Sequence, residues 1–286
     1  MSFLATGKVN YQARLQRAET LASRYSFVAE ILRFYGHIAG FQHDFHEQLP
    51  KKWGKQAIAP ADGDLRSSPL NVPLLLEPFR NFLGVVERRG PGPMATHARQ
   101  LRERGATRWA ELLSEFWKTG LLEASAEGSE DEPREAGTLK QFFARAFLQP
   151  YAEFIVGVML PPVLPMIPCR CPRCNSLPLL GVLRQEGEGG KRYLQCSFCS
   201  QEWEFRRIFC AHCGEEDEQK LAVYVAEQFP HIRVETCVTC KYFLRTIDLT
   251  KDGNAVPLVD DLAAIPLRLW AEENGYKRIQ ENLFGT

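Results

Sequence analysis

The sequence predicts an α+β protein: an all-α amino-terminal domain, two tandem four-cysteine β modules, and a carboxy-terminal helix. Three observations carry this. Apolar residues recur at helical spacing through a cysteine-free stretch over residues 11–160. Eight of the nine cysteines fall into four Cys-x-x-Cys pairs between Cys171 and Cys240. Short runs of β-branched and aromatic residues flank those pairs. The boundaries read from the sequence are 1–165 for the helical domain, 166–207 and 208–250 for the two modules, and 251–286 for the last helix and tail.

The helices come first. After Ser26, the residues Val28, Ile31, Leu32, Tyr35, Ile38 and Ala39 keep the i, i+3, i+4, i+7 pattern of a helix facing a core. Trp109, Leu112, Leu113 and Phe116 repeat it. Thr138 suits an N-cap for a helix burying Leu139, Phe142, Phe143, Ala146 and Phe147, with Pro150 expected to end or kink it. Residues 59–68, the RGPGP of 89–93, the acidic 123–137 and the proline-rich 161–168 read as loops.

Strand signals follow. They lie at Arg192–Leu194, at Trp203 and Phe205, over Leu221–Val225, at Ile232, Val234 and Thr236, and over Tyr242–Leu249. EGEGG at 186–190 reads as a hairpin turn. Asp260–Asn274 reads as one helix that puts Leu262, Ile265, Leu269 and Trp270 on one face, stopped by Gly275.

The cysteine pairs are Cys171/Cys174, Cys196/Cys199, Cys210/Cys213 and Cys237/Cys240. The first two are separated by 21 residues (175–195) and the last two by 23 (214–236), which reads as a duplication of one ribbon. Two residues between cysteines let both thiolates reach one ion from a tight turn, and a second turn returns to complete the tetrahedron. Backbone N–H groups in the turn support the thiolate charge. The residue after the second cysteine favours a left-handed backbone, which suits Gly214 and is tolerable for Asn175. Four soft thiolates select Zn²⁺ or a single iron over Mg²⁺ or Ca²⁺. The expectation is two tetrahedral metal ions, with reduced, unliganded thiols or redox-active dithiols as the competing reading. Pairing first with second and third with fourth is the local solution; interleaved pairing stays open. Cys169, two residues before Cys171, reads as a bystander. His43 and His46 read as helix surface, His212 as pointing outward from its turn, and His231 as unremarkable.

Composition removes several classes of function. A length of 286 residues suggests about two domains. Hydrophobic residues at 45% and a net charge of zero argue against disorder and against whole-chain attraction to nucleic acid. From Cys169 to Thr250 eleven basic residues balance eleven acidic ones. Two loaded four-thiolate sites would bring that segment to about −4, which disfavours nucleic acid. The most apolar stretch, 154–167, is broken by Pro161, Pro162 and Pro165, so no membrane insertion is expected. With no signal-peptide pattern, the expected location is the cytoplasm. No phosphate loop, dinucleotide fingerprint or hydrolase motif occurs, and a four-thiolate site has no open position to activate water, so no catalytic residue is assigned.

CPRCNSLP (171–178), RYLQCSFCSQEW (192–203), CAHCG (210–214), CVTC (237–240) and VDDLAAIPL (259–267) resemble the formate dehydrogenase accessory protein family, FdhE. The likeness is specific from Cys171 onward and looser over the helical half. Asn175 stands where the family commonly has Gly, and Phe198 where it commonly has Leu; neither costs a ligand. The resemblance implies rubredoxin-like metal knuckles in zinc-ribbon modules, with the eight paired cysteines as ligands and iron a candidate beside zinc. It further implies a non-enzymatic cytoplasmic maturation factor whose partner is the catalytic subunit of a molybdenum- or tungsten-containing formate dehydrogenase. Homodimerisation stays open. A rubredoxin-like one-electron carrier is the alternative, and a nucleic-acid-binding zinc ribbon protein a more distant one.

Overall fold

Between Tyr11 and Val158 the apolar spacing resolves into helices: α1 (Tyr11–Arg24), α2 (Ala29–Trp53), α3 (Val72–Arg89), α4 (Gly92–Thr119) and α5 (Arg134–Val158). A computed structural model describes residues 9–53, 63–120, 134–159, 168–187 and 189–285. The loops expected at 123–137 and 161–168 therefore fall mostly outside the described residues. Thr138 lies inside α5, which begins at Arg134, and Pro150 is accommodated within the same helix. Glycine at position 105, with φ 78°, kinks α4.

The chain clusters into two compact units, Phe34–Leu160 and the pair of segments Met1–Arg33 and Pro161–Phe284. In the first, α2 to α5 close over a phenylalanine core in which Phe147 stacks on Phe45 at 5.2 Å and meets Phe79 edge-on at 4.9 Å. The one polar side chain this core takes in from α2, Gln42, donates to the Ala146 carbonyl at 2.7 Å. Such a bond is needed, because a buried amide without a partner is costly.

The second unit holds the strands. They are β1 (Pro178–Glu186), β2 (Gly189–Cys196), β3 (Glu202–Phe205), β4 (Leu221–Val225), β5 (Ile232–Cys237), β6 (Tyr242–Asp248) and a two-residue β7 (Lys277–Arg278). Alternation at Ile232, Val234 and Thr236 does bury those residues. The two modules do not stand apart. They share one seven-stranded sheet of order β3-β2-β1-β6-β5-β4, with β7 on β6. The seam is the parallel pairing of β1 with β6, Gly181 opposite Thr246 and Leu183 opposite Asp248. Both seam strands are buried along most of their length, whereas β4 is half-exposed to exposed throughout. Parallel pairing is normally covered on both faces, and α6 (Pro257–Ala263) contacts both seam strands. At the seam a β-carbon on residue 181 would collide with Thr246 Oγ1 and lie 3.1 Å from its Cβ, so only glycine fits.

The helix expected over 260–274 is two helices, α6 and α7 (Ile265–Glu273), broken at Ala264 (φ −90°, ψ 35°). Pro266 has no N–H to donate to residue 262 and its ring would clash there, so it starts a new helix instead. Asp260 and Asp261, adjacent on α6, clasp this segment to the rest of the unit. Asp261 is fully buried between Arg278 (2.6 Å) and Arg245 (2.8 Å) and accepts from Asn282 at 3.1 Å. Arg245 also donates to the Ala264 carbonyl at 2.6 Å, where the helix breaks. Asp260 receives Arg17 of α1 at 2.6 Å and the Val256 N–H at 2.7 Å.

Two outcomes follow in urea or thermal unfolding. Gly181→Ala should cost roughly 1–3 kcal/mol through overpacking at the seam. The same change made in a Thr246→Ala background should cost measurably less. Asp261→Asn should cost about 3–5 kcal/mol, because two buried guanidinium groups lose their counter-charge. Burial opposes the Asp261 charge, but Arg245 and Arg278 outweigh it and hold the carboxyl below its ordinary pKa. Its contribution is thus present above that ordinary value and lost as pH falls through the lowered one. The Asn variant should accordingly show a shallower loss of stability in acid than the parent.

Candidate metal centres

The β1/β2 hairpin returns Cys196 opposite Pro178, which brings the turn after β2 beside the turn that precedes β1. The β4/β5 pair does the same, with Leu221 opposite Cys237. The thiols gather into two groups, Cys171, Cys174, Cys196 and Cys199, and Cys210, Cys213, Cys237 and Cys240, with the four sulfurs of each within 4.8 Å of one another. The local pairing is therefore the one the fold makes.

Sulfur separations test whether an ion fits. A tetrahedron with metal–sulfur bonds of about 2.3 Å has edges of about 3.8 Å. In the first group Cys174 lies 3.4 Å from Cys196 and 3.7 Å from Cys199, and Cys171 lies 3.6 Å from Cys199. In the second, Cys210–Cys240 is 3.8 Å and Cys213–Cys237 is 3.7 Å. All are far longer than the roughly 2.05 Å of a disulfide. Each group could hold one tetrahedral ion.

The turns are built for this. The residue after the second cysteine is left-handed in all four: Asn175 (φ 55°), Ser200 (φ 55°), Gly214 (φ 79°) and Lys241 (φ 61°). The N–H of that residue returns to the carbonyl of the first cysteine in three turns, at 2.9 Å for Asn175 and Lys241 and 3.1 Å for Gly214. Backbone N–H groups of Arg173, Phe198 and His212 point at the sulfurs of Cys171, Cys196 and Cys210 at 3.3–3.4 Å. Such donors favour the thiolate over the thiol. Burial works the other way, pushing the thiols of Cys171 and Cys199 up and that of Cys210 up to about 11. Four sulfurs held together against that penalty are the donor set of a soft cation.

The groups differ in their surroundings. All four sulfur residues of the first are buried, whereas in the second Cys213 is exposed and Cys240 half-exposed. Arg173 in the first turn is 1% exposed, and none of its guanidinium nitrogens has a hydrogen-bond partner. The corresponding residue of the second group, His212, is exposed and stacks on Tyr242 with ring centroids 3.9 Å apart. Cys169, adjacent in sequence to the first group, lies against the second, with its sulfur 4.0 Å from the Cys210 carbonyl.

One cluster has no sequence signal. His231 is buried with Nε2 2.8 Å from Asp260, and Asp252 completes a triad of potential ligands. The cation there is a side chain: Arg17 reaches Asp252 at 2.7 Å and Asp260 at 2.6 Å, in the space an ion would need. His43 and His46 join no such group among the described residues, and His46 rests edge-on against Phe154. Trp203 and Phe205, which interleave with basic residues in the sequence, are buried in the sheet rather than presented as a stacking platform. No helix among the described residues is long and apolar enough to cross a membrane.

Comparison with known proteins divides the chain where the thiols do. The family model for the FdhE central domain matches residues 170–207, which hold the first group, and that for the FdhE C-terminal domain matches residues 208–284, which hold the second. A "Protein FdhE homolog" from Aquifex aeolicus is 25% identical over 279 residues, covering 95% of this chain and 94% of that one. The FdhE homolog of Pseudomonas aeruginosa is 41% identical over 120 residues, a match confined to 40% of this chain and 38% of the relative. The crystal structure of the FdhE protein from Pseudomonas aeruginosa superposes with a TM-score of 0.66 at 26% identity, covering 96% of this chain and 94% of that one. Both thiol groups thus lie inside the two matched FdhE domains, and the chain is similar to FdhE proteins along nearly its whole length in sequence and in space.

Proposed function

We propose that this protein is a cytoplasmic, non-enzymatic maturation factor that binds the catalytic subunit of a formate dehydrogenase while that enzyme is assembled. In this reading the eight paired cysteines, Cys171, Cys174, Cys196, Cys199, Cys210, Cys213, Cys237 and Cys240, are the ligands of two iron or zinc ions. The observation that carries it is the pair of four-sulfur groups inside FdhE domains. Four protein donors saturate a tetrahedral ion and leave no position for a substrate or a water, so the ions serve structure or electron balance rather than hydrolysis. In this reading metal binding adds to the folding energy of each module. The rigid sheet then offers a fixed surface to a client.

A second reading, a one-electron carrier, draws on a specific feature. Cys213 brings one sulfur of the second group to the surface, which is where electron exchange with a partner would occur. Iron-loaded protein would be red and bleach with dithionite under that reading; colourless, zinc-replete protein that still binds its client removes it.

Elemental analysis of purified protein should find two transition-metal ions per chain. Cys196→Ser should lose one of them and unfold at lower temperature, and full metal content with unchanged melting in that variant would sink the ligand assignment. A tagged chain expressed in a host that makes formate dehydrogenase should capture the catalytic subunit from the soluble fraction. Capture of no subunit, with normal formate dehydrogenase activity in a deletion strain, would refute the maturation role.

A further inference from the structure

We propose that the two four-thiolate groups are functionally inequivalent: the first, buried with the guanidinium of Arg173 in its turn, releases its ion slowly, and the second, open at Cys213 and Cys240, exchanges its ion readily with external chelating or thiol-bearing partners. This rests on the eight cysteines being metal ligands, and it adds a division of labour between the sites.

Arg173 carries the first half. A divalent ion with four thiolates has a net charge of about −2. Arg173 and His212 occupy the same position in their Cys-x-x-Cys turns, the third residue, yet only the first is a buried cation. A buried guanidinium with no hydrogen-bond partner is costly unless an opposite charge stands beside it. Burial works against its charge and lowers its pKa, and the charges that counter this are those of Cys199 and Cys171. Arg173 is therefore the counter-ion of the loaded first group. In that dry setting the attraction is stronger than it would be at the surface. Closure is completed by α1, whose Arg14 reaches Ser200, the left-handed residue after Cys199, at 3.4 Å.

The turn of the second group holds no buried cation: His212 is exposed, and the buried Arg192 near Cys210 is already paired with Glu235. A cavity of about 190 Å³ reaches its sulfur residues at Cys210 and Cys237, beside Tyr242 and Phe209. Cys213 faces solvent. Ligand substitution at a four-coordinate ion needs an incoming donor at the metal edge, and here one can arrive. With an ion held there, the Cys213 thiolate would be displaced by the incoming donor and would take a proton from solvent. No oxidation state changes. At the first group all four cysteines are buried, so no sulfur is presented to an incoming donor among the described residues.

The wild-type chain decides this. Protein loaded with Zn²⁺ and verified to hold two zinc ions is mixed with excess pyridylazoresorcinol. The zinc should leave in two phases of equal amplitude, and iodoacetamide added during the fast phase should label Cys213 and Cys240 while Cys171, Cys174, Cys196 and Cys199 stay protected. Arg173→Met should accelerate the slow phase by about ten-fold, and Arg173→Lys, which keeps the charge, by less. A single rate for both ions, or labelling of the first group ahead of the second, overturns the proposal. Fewer than two zinc ions, with all eight thiols labelled from the start, would instead overturn the ligand assignment beneath it.

Discussion

The parallel seam between β1 and β6 is the constraint on which the metal-bearing unit depends. It turns two three-stranded ribbons into one sheet, and it exists because residue 181 has no side chain to keep Thr246 away. Around it burial falls off outward: the seam strands are covered on both faces, β5 alternates, and β4 at the edge is half-exposed or exposed throughout. The seam also dictates what must lie above it. A parallel pair is stable when both faces are dry, and α6 contacts both strands, clamped in place through Asp261 to Arg245 of β6 and Arg278 of β7. A sheet of this size would otherwise expose the most apolar strands it has.

The sequence showed its thiol groups plainly and its architecture only in part. Local chemistry was legible: Cys-x-x-Cys spacing marked the four turns, with local pairing as the simplest closure, and strand-prone residues marked β4, β5 and β6 closely. Gly214 and Asn175 advertised the left-handed position after the second cysteine, while Ser200 and Lys241 in the same conformation did not, since neither residue type prefers it. β1 was obscured because its continuous apolar run reads equally as a buried helix or a strand. The seam and the clasp were not legible at all. They join residues far apart in sequence, Arg17 and Asp260 being 243 positions apart, and no periodicity encodes such a meeting. VDDLAAIPL is a case in point. It read as part of one helix with an apolar face, yet its two aspartates meet guanidinium groups and its proline divides it.

The clasp changes how the buried charges should be weighed. Asp260 and Asp261 are neighbours, but each has separate partners: Arg17 and His231 for the first, Arg245, Arg278 and Asn282 for the second. A hydrophobic replacement of the whole set could stabilise as much. What the charges add is specificity, since one carboxylate can meet two guanidinium groups only if α6, β6 and β7 lie in one arrangement. α1 is recruited to the sheet by the same logic, through a side chain that fills what would otherwise be a cation site.

The difference between the two thiol groups follows from how identical ribbons are joined. Each ribbon runs turn, strand, strand, turn, strand, so β1 corresponds to β4, β2 to β5 and β3 to β6. The seam pairs the first strand of one ribbon with the third strand of the other, which is a head-to-tail rather than a two-fold arrangement. A two-fold join would give both copies the same neighbours. A head-to-tail join cannot: it places the strand leaving the Cys171 turn in the middle of the sheet and the strand that follows the Cys210 turn at its rim. The first group is thereby buried and the second left partly in solvent, although both are built from the same Cys-x-x-Cys turns and four sulfurs each. Once that asymmetry exists, a cation can be kept inside one turn, as Arg173 is, while at the other an exposed ring, His212, lies on Tyr242. Duplication thus supplies two sites of one chemistry, and the topology of their junction makes them unlike.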